Sequence, residues 1–153
     1  MNAPNSTSGV PPFDPALHHV YRKGRYLCGD FRLQPGESNA RFAEWMSQRG
    51  HKTYAFVTAY NPYSDGTTSL PENLARSRVL RKLVEEQGFA HLPAAGVDPA
   101  GEWPEEVGVM LFDVALENAL KIGIDFKQNA ILFGEISGEP AVLWCRCVLR
   151  NTK

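Results

Sequence analysis

No apolar run in the chain reaches the ~18 residues that a bilayer-crossing helix requires. The opening stretch, MNAPNSTSGVPPFDP, has neither a positively charged start nor an apolar segment. It does not read as a secretory leader, so the expectation is a cytoplasmic protein. Cysteine is scarce: three residues, Cys28, Cys145 and Cys147, in a chain of 153. An odd count without a leader argues against a disulfide framework, and core thiols are expected. Excess charge of either sign is also lacking, with 16 Lys+Arg against 17 Asp+Glu and a net charge of -1. That argues against a basic nucleic-acid surface and a polybasic membrane anchor. Arg76, Arg78, Arg81 and Lys82 share one predicted helix, but Glu85 and Glu86 follow, as on an ordinary solvated face. None of the four histidines has a sequence-near acid that marks a catalytic pair, and Cys-x-Cys at 145–147 lacks a second ligand pair. No nucleophile, metal site or cofactor is identified this way.

What is present suits one globular domain. Hydrophobic residues make up 43% of the chain, with eight Phe, five Tyr and three Trp to anchor a core. Residues 1–15 are rich in Pro, Ser and Asn and read as a disordered tail, leaving one domain over 16–153. Residues 20–33 alternate loosely as one or two short strands, and Ser38 precedes a helix over 39–49 that Gly50 stops. TYAFVTAY (53–60) is apolar on both faces, as a central strand is. Ser69 and Glu72 have capping-box spacing before a helix that runs to Gln87. A short strand at 89–92, a strand at 106–114, a helix at 115–122 stopped by Gly123, and strands at 129–136 and 141–149 complete the pattern. The Ser137–Pro140 connector, with Gly138 inside it, predicts a C-terminal hairpin. The class is therefore α+β: a mixed, mostly antiparallel sheet with about three helices packed on one side.

Polar groups converge on the strand-loop-helix segment 53–87. On a helical wheel Leu80, Leu83 and Val84 define the buried stripe, and Asn73 and Arg76 fall on the same stripe. A buried amide and guanidinium need partners, since leaving them without costs several kcal/mol. Thr58, Asn61 and Ser64 are within reach, and the helix start adds free N–H groups. The cluster suits a phosphate or carboxylate, so the expected partner is an anionic small molecule or nucleotide. A structural alternative stands beside it: Asn61 before Pro62 is a common turn opener, and Arg76 can pair with Glu72.

GEWPEEVGVM contains part of the pattern by which Nudix enzymes hold metals on a helix. Gly101 stands where that pattern has Arg, its upstream Gly and Glu are missing, and Pro104 opposes a helix. What remains is a carboxylate pair, Glu105 and Glu106, available for acid/base work at the same site. Trp103 can pack on a flat moiety, and Gln128, beside Asn129, can contact a polar remainder.

FVTAYNPYS, Asn73 in the next helix, the irregular loop leading to EWPEE, and FKQNAILF together resemble the bacterial family catalogued as domain of unknown function 3293. The resemblance covers about residues 17–136, with Thr58–Pro62 its most specific piece. In that family the glutamates are commonly followed by Ser, where this chain has Val107. The resemblance implies one recognisable polar signature and brings no activity with it. Three functions stay open: a binding domain for a polar small molecule, a hydrolase-type enzyme using Glu105 or Glu106, and an interaction module without a ligand. The oligomeric state is open too.

Overall fold

The computed structural model describes residues 11–146. Helix α1 (Pro15–Lys23) starts where the Asp14 side chain accepts the N–H groups of Ala16 and Leu17, with Pro15 in the first turn. Strands β1 (Arg25–Cys28) and β2 (Phe31–Leu33) form a tight hairpin. Helix α2 (Ala40–Gln48) is capped by Asn39, whose Oδ1 accepts the Phe42 N–H at 3.0 Å. Strand β3 (Thr53–Thr58) leads through a one-turn 3-10 segment at Pro62–Ser64 into helix α3 (Leu70–Gln87). The predicted capping box is complete there: Ser69 N–H donates to Glu72 Oε1, and Glu72 N–H donates to Ser69 Oγ. Strands β4 (Ala90–Val97) and β5 (Glu106–Phe112), helix α4 (Leu116–Asp125), and strands β6 (Ala130–Glu135) and β7 (Ala141–Trp144) follow.

The seven strands form one sheet in the order β2-β1-β4-β5-β3-β6-β7. Period-two alternation splits its side chains between two apolar layers. Ala55, Val57, Val109, Leu111 and Ile131 face one way and pack on α3 and α4 through Leu80, Val84, Ala119 and Leu120. Tyr54, Phe56, Met110, Phe112 and Leu132 face the other way, where Phe42 and Met46 of α2 cover them. Helix α1 lies against β7: Trp144 packs on Tyr21 and Phe13, and its indole N–H donates to His18 Nδ1 at 2.9 Å.

The α+β class and the terminal β6–β7 hairpin agree with the sequence reading, and several details differ. Every ladder is antiparallel, so the sheet is not mixed. Among the described residues the α-helices number four, not about three, because α1 occupies residues read as tail and strand. They do not share one side of the sheet: α2 lies opposite α3 and α4, because β3 and β5 are apolar on both faces and each face needs a cover. Gly123 does not end α4 but sits inside it, where a Cβ would come within 2.9 Å of Ile131 and 3.1 Å of the Cys145 sulfur. Strand β4 runs on past Pro93 because β1 pairs only as far as Ala94, so one side of Pro93 faces no ladder. Strand β7 stops at Trp144.

Residues 1–10 of the expected tail, and Cys147, lie outside the described residues. Cys28 and Cys145 are buried free thiols, and burial pushes them up to about 11 and about 12. Among the described residues, no helix is long and apolar enough to cross a membrane.

Candidate functional site

The loop after β3 turns on three residues in left-handed backbone conformation, Asn61, Tyr63 and Ser64. Such residues cost about 1 kcal/mol or more each unless neighbours hold them. Here neighbours do: Tyr63 N–H donates to the Lys127 carbonyl at 2.7 Å, and Ser64 N–H to the Asn61 carbonyl at 2.7 Å. Asn73, 5% exposed on the first turns of α3, completes the clamp. Its Oδ1 accepts from the Asn61 N–H (2.9 Å) and the Thr68 hydroxyl (2.8 Å), while its Nδ2 donates to Asn61 Oδ1 (3.1 Å). Held from behind in this way, Asn61 donates through Nδ2 to Glu106 Oε2 at 2.7 Å. The loop therefore orients one carboxylate.

Glu106, the first residue of β5, stands on a wall shared by two adjoining hollows. The outer one lies between α1 (Leu17, Val20, Tyr21) and the sheet, where Tyr26, Phe56 and Trp103 line it. The inner one continues to Thr58, Gln128 and Asn129. Ser64 belongs to both, and its Oγ is 2.7 Å from the Tyr21 hydroxyl. That hydroxyl also accepts from Asn129 Nδ2 at 3.0 Å. Asn129 is 3% exposed, and its Oδ1 has no hydrogen-bond partner among the described residues. A buried amide oxygen without a donor is uncommon and costs on the order of 1–3 kcal/mol.

Burial raises the Glu106 carboxyl above its ordinary range, against the opposing pull of the Asn61 hydrogen bond. Burial likewise raises the phenols of Tyr21 and Tyr26. Tyr26 donates to the Tyr21 carbonyl at 2.9 Å, which ties β1 to α1. Among the described residues lining either hollow, none is Lys, Arg or His.

The sequence-derived residues separate into two groups. Thr58, Ser64, Trp103, Glu106 and Gln128 line the cleft. Thr58 is also structural, donating to the Val107 carbonyl at 2.6 Å and accepting the Tyr60 N–H. Gln128 Nε2 is spent on the carbonyls of Tyr60 and Phe126. Asn61 and Asn73 stand behind the carboxylate. Arg76 is elsewhere: its Nε donates to the Ala59 carbonyl at 2.7 Å and its Nη2 to the Phe126 carbonyl at 2.6 Å. It pins α3 to the ends of β3 and α4 and lines neither hollow. Glu105 is exposed, so the carboxylate pair is split, as neighbours on extended chain must be. The Nudix-type reading has no helix to stand on, because residues 106–112 form a strand. Among the described residues, no three His, Cys, Asp or Glu side chains are grouped to hold a metal ion.

Tyr21 and Tyr26 escaped the sequence reading. A signal for Tyr21 existed: Asp14-Pro15 is an N-cap followed by a first-turn proline, with Leu17, Val20 and Tyr21 at helical spacing. Tyr26 carried none, since its role depends on the β1–β4 pairing that sets it opposite Gly96.

Comparison with curated proteins and with solved structures finds no match. A family model does match, over the segment that runs from β3 through α3 and β5 into β6. Residues 57–131 fit the family described as Protein of unknown function (DUF3293), so this stretch is similar to that family.

Proposed function

We propose that this chain is a small-molecule-binding domain whose site is the cleft between α1 and the sheet. The observation that carries the reading is Glu106: a half-buried carboxylate on the wall common to both hollows, fixed by Asn61. Protein interiors avoid such groups unless something offsets their desolvation, and clefts with perturbed acids are where ligands bind. Trp103 supplies a flat apolar contact, and Ser64, Thr58 and Gln128 supply the polar surround. The polar ligand expected from the sequence is kept. The anionic contact at Arg76 is not, because both of its bonded nitrogens serve backbone carbonyls outside the cleft.

A second reading rests on the same carboxylate. A glutamate whose carboxyl is raised by burial holds a proton more readily than an ordinary one, so Glu106 is suited to general acid/base work on whatever the cleft binds.

The test of the site is a backbone-amide NMR titration with a chemically mixed fragment set of cations, neutral amides, carboxylates and phosphates. Fragments should perturb Ser64, Trp103, Glu106 and Asn129 together. Hits confined to other surfaces, or no hits at all, would overturn the proposal.

A further inference from the structure

We infer that the cleft is built for an organic cation, an ammonium, amidinium or guanidinium head on an apolar body; this rests on reading the cleft as the binding site. The argument is one of unmet needs. Hydrogen-bonding groups on the walls divide into those already satisfied and those still open. The donors are largely spent: Tyr26 on the Tyr21 carbonyl, Gln128 on the carbonyls of Tyr60 and Phe126, Thr58 on the Val107 carbonyl, Asn129 Nδ2 on Tyr21 and Tyr63. The Tyr21 and Ser64 hydroxyls share one hydrogen bond, which uses one of their two protons.

Among the described residues, the buried side-chain atom left open is an acceptor. Asn129 lines the inner hollow, and its Oδ1 is buried without a partner among the described residues. Asn61 occupies one oxygen of Glu106, and no donor among the described residues engages the other. A ligand that closes this account brings N–H donors.

Charge gives the same answer by a separate route. Two carboxylates, Glu106 and Asp98, line the outer hollow, and no cation stands against them among the described lining residues. Asp98 is satisfied locally, accepting the N–H groups of Ala100, Glu102 and Trp103 in its own turn. Glu106 is not. An anionic ligand would meet a carboxylate with no compensating charge, whereas a cation would offset the desolvation that Glu106 already bears.

The aromatic residues supply the third argument. Tyr21, Tyr26, Phe56 and Trp103 line the outer hollow, and the Tyr26 and Phe56 rings meet edge to face at 5.3 Å. Aromatic faces around an acidic group attract organic cations and cover their apolar bodies. The head would sit at the junction of the two hollows, where Glu106 stands, and donate inward toward Asn129. The body would lie between α1 and Trp103.

Three probes of similar shape decide the matter: benzamidinium, its neutral counterpart benzamide, and the anion benzoate, each titrated at pH 7 into the full chain and followed by amide NMR. Benzamidinium should perturb the cleft residues and bind at least tenfold tighter than benzamide, with benzoate weakest. Glu106→Gln, confirmed as folded by its amide spectrum, should lose that tenfold preference. Trp103→Ala should weaken the cation and the amide alike. Benzoate or benzamide binding in the cleft as well as benzamidinium would overturn the cation assignment while leaving the site intact. Preference for the cation that survives Glu106→Gln would overturn it too. Silence from all three probes, where other fragments of the mixed set do bind the cleft, would also overturn the cation assignment alone. Silence from every fragment would remove the site and the assignment together.

Discussion

Arg76 shows how a side chain with the right position on a helix can have a different partner from the one expected. Its place on the buried stripe of α3 was legible, because helical periodicity is local and strong. Its partners were not, because the carbonyls it reaches lie 17 and 50 residues away in sequence. A guanidinium at a helix start satisfies the same physical demand whether it holds a ligand oxygen or a backbone one. The geometry predicts that Arg76→Ala costs on the order of 2 kcal/mol, since two carbonyls lose charge-assisted donors. Urea denaturation would measure the loss. Cleft binding by the folded variant should stay unchanged, and Lys should rescue poorly because it cannot fork between two acceptors. Asn73 makes the complementary point: it was picked out correctly as a polar intruder on the stripe, yet it meets the ligand's wall only through Asn61.

Among the elements, α1 is the one the sequence concealed. Its nine residues follow a Pro-rich stretch, and the composition of that stretch outweighed the Asp14-Pro15 start signal. Long, strongly patterned elements such as α3 and β3 were readable within a residue or two; α1 is short and half-exposed, and its docking partner Trp144 lies at the other end of the chain. That docking is sensitive to acid. His18 accepts the Trp144 indole N–H through Nδ1, which requires a bare ring nitrogen, and its pKa is lowered, first by burial and then by nearby Arg22. A histidine lowered in the folded state contributes stability that is full above its unfolded value, near 6.5, and is lost as pH falls through the folded one. Amides of α1 should therefore exchange with solvent faster at pH 5 than at pH 7.5, after correction for intrinsic rates. His18→Gln, whose side-chain oxygen can accept the same bond, should remove the difference; unchanged protection in wild type would refute the mechanism.

At the scale of the whole molecule, both apolar layers are faces of the same strands, so neither can be lost while the other stands. The chain should unfold in urea as one unit, with tryptophan fluorescence and far-UV circular dichroism giving coincident curves. Trp45 reports from the α2 layer and Trp144 from the α1 contact, so an early fluorescence transition would show that α1 or α2 melts alone. The antiparallel pairing of all seven strands also means that the cleft joins residues from distant parts of the sequence: Tyr21, Phe56, Glu106 and Asn129. The family match over 57–131 takes in Glu106, Asn61, Trp103 and Asn129 but not α1 or Tyr26. The cleft is thus built from two stretches of sequence. One segment carries the carboxylate and the clamp that aims it; another, ahead of it in the chain, supplies the roof. Exchanging the roof would change which molecules fit while the charged anchor stayed in place, so ligand choice and ligand chemistry can be altered independently.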